Sequence, residues 1–230
     1  MSLDRTIILL PIWGRKAITL LCLKNLKELK EKYGIEVMCI VSESWAKMEA
    51  FNYGFKWVEV SNDDLGHKMN VGVEAVMRMD FDYMMNLGSD DIINERLFEI
   101  YKPYFEKRTP MFGITKATFI DTVSNECKVC DYQILIGAGR AIRTDLIEQF
   151  VMRDGKSIMY DKGINRGLDM NSMKKFNCSH TEIETEDHLI IDLKSNKNIW
   201  TFDNIGGTEC SFDSATKNLD TELIDSIIEL

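Results

Sequence analysis

The chain has 230 residues, of which 45% are hydrophobic and 28% charged, with only three prolines; that is globular composition with ample material for a core, and it excludes a mainly disordered chain. Twenty-eight basic residues against thirty-seven acidic ones give a net charge of −9, which excludes a general nucleic-acid binder carrying a basic face. No segment reaches the roughly 18–20 apolar residues of a membrane span, and six scattered cysteines lead to the expectation of a reduced, cytoplasmic protein without a disulfide framework.

The first half alternates strand and helix signals. The apolar run from Thr6 to Ile12, closed by Trp13 and Gly14, is of strand length and too short for a signal-peptide core. Ile18, Cys22, Leu26, Leu29 and Tyr33 recur at steps of three and four, and Gly34 follows, so a helix is predicted from Lys16 to Tyr33. Ile35 to Val41 is a second strand, Trp45 to Tyr53 a short helix and Lys56 to Val60 a third strand. Met69, Val73, Val76 and Met77 mark another helix, and Tyr83 to Leu87 a fourth strand. Strands separated by helices pair in parallel, because a parallel return needs a crossover.

The second half reads differently. Asn94 to Phe105 is helical, with Pro103 expected to disturb its last turn. Met111 to Val123 and Lys128 to Ile136 read as a hairpin around Ser124-Asn125-Glu126. Helices follow at Asp145 to Phe150 and Leu168 to Phe176, then a strand from His188 to Leu193. Leu219, Leu223, Ile224, Ile227 and Ile228 form a last amphipathic helix. Its four acids disfavour an anionic membrane, so its apolar face is expected to pack on its own domain or on a second copy of the chain.

The most informative stretch is Met84-Met85-Asn86-Leu87-Gly88-Ser89-Asp90-Asp91. An apolar strand ends in two adjacent carboxylates, and in open α/β sheets ligands bind outside such strand ends. Oxygen donors there suit Mg²⁺ or Mn²⁺; the alternative is a solvated turn, or Asp91 capping the helix that follows. The run resembles the aspartate motif of family 2 glycosyltransferases, which have the GT-A fold, with Gly88 where the usual pattern has its first aspartate. Leu10-Pro11-Ile12-Trp13-Gly14-Arg15 resembles the family's opening strand and nucleoside loop, and Val41-Ser42-Glu43 the end of its second strand. Leu65 to Gly72, including Lys68 and Asn70, resembles the stretch preceding the aspartate motif. Gly137-Ala138-Gly139-Arg140 resembles the strand after the hairpin, and Arg166-Gly167-Leu168-Asp169 the Glu-Asp pair that heads a helix, with Leu168 in the Glu position.

The resemblance implies one GT-A-like, Rossmann-type α/β domain over 1–230: a mostly parallel central sheet with an added hairpin and flanking helices. Residues 1–95 would form the nucleotide-binding half, 96–195 the acceptor half, and 196–230 a C-terminal extension. It implies transfer of a sugar from a nucleotide-diphosphate donor to a glycan or other hydroxyl acceptor, with inversion. Pro11, Trp13, Arg15, Glu43, Lys68, Asn70, Ser89, Asp90 and Arg140 would contact the donor. Asp90, Asp91 and His188 would hold Mn²⁺ or Mg²⁺, and Asp169 would be the general base. Lys194 is a further candidate for the diphosphate, with a surface charge as the alternative, and Trp200 and Phe202 suit either the floor of a sugar site or, the favoured reading, core or interface packing. A non-catalytic GT-A-like binding domain is the alternative favoured by Gly88 and Leu168. A nucleotidyltransferase is disfavoured, because the loop after the first strand has a single glycine. Cys127 and Cys130 form a CxxC without a second pair, which reads as ordinary thiols.

Overall fold

The computed structural model describes residues 5–195, 198 and 201–230. Seven strands form the larger sheet. β1 (Thr6–Ile12), β2 (Glu36–Val41), β3 (Lys56–Glu59) and β4 (Tyr83–Asn86) are its parallel part, in spatial order β4-β1-β2-β3. β9 (Ala141–Arg143) lies antiparallel between β4 and β6 (Met111–Ile114), and β10 (Thr181–Ile183) closes the edge parallel to β6. A second sheet has the order β12-β8-β7-β11-β5, from Thr208–Cys210, Cys127–Asp131, Lys116–Asp121, Ile190–Lys194 and Asp91–Ile93 respectively.

The unbroken apolar run of β1 follows from burial on both faces. Ile8, Leu10 and Ile12 enter one core with Cys22, Leu26 and Leu29 of α1 (Lys16–Tyr33), while Ile7 and Leu9 enter another with Met69, Val73 and Val76 of α3 (Leu65–Val76). Helix α1 ends where Gly34 adopts φ 70° and donates its N–H to Lys30 O. Helix α3 lies so close to the sheet that a Cβ on Gly72 would fall 2.3 Å from Ile40 Cδ1. Helices α2 (Ser44–Asn52), α4 (Arg96–Glu106), α5 (Thr144–Glu148), α6 (Leu168–Met173), α7 (Phe212–Thr216) and α8 (Thr221–Ile228) complete the chain.

The mostly parallel central sheet, the hairpin and the flanking helices are as expected from the sequence. Several readings change. The run from Met111 to Val123 is two strands: the chain bends at Thr115 and passes from the larger sheet (β6) to the smaller (β7), and only β7 pairs with β8 as the hairpin. An apolar run reports burial but not a bend, so sequence pattern merges the two. The last turn of α4 persists past Pro103, because Lys107 N–H still reaches Pro103 O and the helix runs to Glu106. Asp91 opens a strand, β5, rather than capping a helix. Of the two readings of Phe202 the core one holds: it is buried with Phe119, Cys130 and Ile205, with Lys128 Nζ 4.4 Å from its ring centroid. Trp200 lies outside the described residues.

Candidate active site

The turn after β4 builds the acidic centre. Leu87 N–H bonds to Leu9 O and keeps the chain on the sheet for one more residue. The chain then folds back so that Asp91 N–H reaches Gly88 O at 3.2 Å and the Asp91 carboxylate accepts Gly88 N–H at 2.6 Å. A side chain at position 88 would crowd the two acids, since a Cβ would fall 2.7 Å from Asp90 Oδ1 and 2.8 Å from Asp91 Oδ2. β5 then pairs antiparallel with β11, and the register sets Asp192 directly opposite Asp91. Leu193 N–H donates to Asp90 O at 2.8 Å and ties the turn to the same strand.

Among the described residues, Asp90, Asp91 and Asp192 bring carboxylate oxygens within 4.8 Å of one another. Burial, then the charge of Asp90, pushes Asp91 up to about 7. Burial, then Asp90 and Asp91, holds Asp192 well above the ordinary carboxylate range. Asp192 Oδ1 is buried with no hydrogen-bond partner among the described residues. Three oxygen donors, crowded and under-compensated, fit a hard divalent cation.

This centre opens on a cavity of about 840 Å³. Its walls include Pro11, Trp13, Arg15, Lys68, Ser89, Asp90 and Asp91 of the anticipated site, together with Asp169 and Lys194. Arg15 Nη1 donates to Asp90 Oδ2 at 2.5 Å and Nη2 to Ser89 Oγ at 3.3 Å. Lys68 is buried and donates to Ile12 O, Ser42 Oγ and Asn62 Oδ1 at 2.6, 2.8 and 3.3 Å. Burial brings its ammonium down to about 8. Asp169 sits in the first turn of α6, with its side chain 53% exposed. Gly137 makes room for it, because a Cβ there would overlap the carboxylate at 2.0–2.4 Å.

Four anticipated residues lie outside this wall. Arg140 is fully buried, with Nη1 donating to Asp169 O at 3.2 Å and Nη2 to Ser172 Oγ at 3.3 Å, so it braces the start of α6 from within. Asn70 holds the segment opposite α3: its Nδ2 donates to Tyr160 O, and its Oδ1 accepts from Ser157 Oγ and Tyr160 N–H. Glu43 accepts Gly14 N–H at 2.6 Å and fastens the loop after β1. His188 is not grouped with the carboxylates: its Nδ1 lies 2.8 Å from Thr118 Oγ1 and its Nε2 3.3 Å from Ser214 Oγ. The third carboxylate is instead Asp192, and its signal in the sequence was an acid inside the apolar run Ile190-Ile191-Asp192-Leu193. Asn198, whose Nδ2 donates to Asp90 Oδ2 at 2.8 Å, carried no such signal.

No protein-family model matches the chain, and no curated protein matches it in sequence. Solved structures do. S. aureus TarS 1–349 superposes with a TM-score of 0.59 at 13% identity, covering 84% of this chain and 60% of TarS 1–349. Its complex with UDP-GlcNAc gives 0.61 at 13% identity over 86% of this chain and 60% of that one. Its complex with UDP gives 0.58 at 14% over 85% and 61%. The fold is of the GT-A type. At this identity the likeness lies in the path of the backbone, and this chain spans about 60% of the length of TarS 1–349.

Proposed function

We propose that the chain transfers a sugar from a nucleoside-diphosphate donor to an acceptor hydroxyl, with a divalent cation and inversion at the anomeric carbon. The observation that carries this reading is the convergence of Asp90, Asp91 and Asp192 at the C-terminal end of β4, on one cavity with Asp169. The three carboxylates would hold Mn²⁺ or Mg²⁺, which supplies Lewis-acid neutralisation of a leaving diphosphate. The loop of Pro11, Trp13 and Arg15, with buried Lys68 behind it, would receive the nucleotide. Lys194, whose Nζ donates to Asp192 Oδ2 at 2.6 Å, stands where a diphosphate meets the carboxylates. Asp169 would accept the proton of the acceptor hydroxyl as that oxygen attacks, and Arg140 beneath it fixes the turn that carries it. The fold shared with a protein solved with UDP and UDP-GlcNAc makes those two compounds the first probes.

The test is calorimetric titration of UDP and UDP-sugars with and without Mn²⁺, on the wild type and on Asp90→Asn. Mn²⁺-dependent binding that is lost in the variant, with its melting curve unchanged, supports the reading. Binding of neither nucleotide nor Mn²⁺ by the wild type rejects it.

A further inference from the structure

The carboxylates of the centre already have cationic company. Asp90 Oδ2 receives Arg15 Nη1 and Asn198 Nδ2, and Lys194 Nζ stands 4.0 Å from it. Lys194 also donates to Asp192 Oδ2 at 2.6 Å. The side chains of Arg15 and Lys194 are only 18% and 7% exposed, so solvent screens these pairs weakly. Two fixed cations thus stand against three carboxylates, in the space an incoming divalent ion would have to share.

The backbone bears on the same point. Gly14 has φ 60° and Arg15 φ 45°, ψ 44°, two successive left-handed residues, and Arg15 is the N-cap of α1 with no capping hydrogen bond from its side chain. A left-handed conformation is sterically costly for any residue with a Cβ. Here it aims the guanidinium at Asp90 and Ser89 instead of capping the helix.

We infer that Arg15 is an exchangeable internal counter-ion: it pairs with Asp90 and passes to the diphosphate when a divalent cation takes Asp90, so that cation and nucleotide bind interdependently. The inference rests on the nucleotide-sugar reading of the cavity. A divalent cation entering alone must displace Arg15 and leaves the centre with positive charge in excess, because the ion, Arg15 and Lys194 together outweigh the three carboxylates. A cation entering with a diphosphate leaves Arg15 and Lys194 with a new anionic partner. Linkage makes the effect reciprocal, so each ligand tightens the other by the same factor.

The experiment measures Mn²⁺ and UDP affinity by calorimetry, each alone and each at saturation of the other, with Mn²⁺ binding checked by its paramagnetic resonance signal. In the wild type UDP should tighten Mn²⁺ by about tenfold or more, within the usual range of coupling between sites. Arg15→Met should bind Mn²⁺ alone more tightly and UDP more weakly, with a smaller coupling factor that stays above one because the cation itself meets the diphosphate. Arg15→Lys keeps the charge and should retain part of the coupling. Far-ultraviolet circular dichroism and melting curves establish that both variants fold. Mn²⁺ affinity and coupling unchanged in Arg15→Met would overturn the counter-ion role while leaving the nucleotide-sugar reading intact. A wild type that binds neither Mn²⁺ nor UDP would remove that reading and this inference together.

Discussion

Gly88 stands where the resemblance places an aspartate, and restoring that aspartate is expected to do harm. Its side chain would start 2.7–2.8 Å from the Asp90 and Asp91 oxygens, so Gly88→Asp brings both overlap and a fourth negative charge into a crowded centre. Overpacking of this kind costs about 1–3 kcal/mol. The expected outcome is a lower melting temperature and weaker Mn²⁺ binding by calorimetry; tighter Mn²⁺ binding would show that the centre lacks a ligand at position 88. Asp169 offers a contrast, because it sits on the cavity wall with its carboxylate half exposed and its backbone carbonyl gripped by Arg140. Asp169→Asn should lower transfer by roughly 10²–10⁴-fold, the usual contribution of a positioned acid–base group, with UDP affinity unchanged. Weakened UDP binding with intact turnover would make Asp169 a residue that positions the donor.

Long periodic elements were legible, and short ones were not. α1 occupies the predicted Lys16–Tyr33 because its apolar stripe and Gly34 both speak locally. β5, β9, β10 and β12 have three residues each, too few for a period, and they exist because a neighbouring strand offers a ladder. Asp192 was hidden for the same reason: the β5–β11 register that sets it opposite Asp91 is a tertiary fact. Cys127 and Cys130 are three apart on β8, which points them to opposite faces and removes the CxxC as a chelating pair; across the ladder Cys127 meets Cys210. The amphipathic C-terminal helix found a cover within its own chain. Leu223 and Ile227 are buried in the core that contains the inner face of α1, and Lys24 of α1 reaches Glu222 at 2.6 Å. Leu223→Ala is therefore expected to cost about 2–5 kcal/mol, read as a lower urea midpoint that does not depend on protein concentration. A midpoint that shifts with concentration would mean that α8 also packs against another copy.

At the scale of the whole molecule, two sheets meet at one acidic centre: Gly88, Ser89 and Asp90 leave β4 of the larger sheet, and Asp91 and Asp192 belong to the smaller. Joining them there requires buried carboxylates, and this ties stability to pH. Burial and the charge of Asp90 push Asp91 up to about 7 in the folded protein, against about 3.9 in an unfolded chain, and Asp192 is raised in the same direction. Between those values the folded state holds protons that the unfolded state has released. The contribution of these two acids to stability is therefore complete below about pH 4 and is lost as pH rises toward 7, at up to about 1.4 kcal/mol per pH unit for each proton of difference. His188 works the other way, because burial lowers its pKa and folding becomes more favourable as pH rises through its unfolded value near 6.5. Two acids against one histidine set the expected sign. With metal removed by a chelator, the protein should melt higher at pH 5.5 than at pH 7.5, by a few degrees for a chain of this size. Mn²⁺ binds the deprotonated carboxylates, so its stabilising effect should grow over the same interval. Asp192→Asn mimics the protonated acid and should flatten the metal-free profile while abolishing the Mn²⁺ effect. Scanning calorimetry at half-unit steps between pH 5 and 8 decides it: a metal-free melting temperature that climbs across this interval, or an Asp192→Asn profile as steep as the wild type, would show that the carboxylate centre does not govern the pH response.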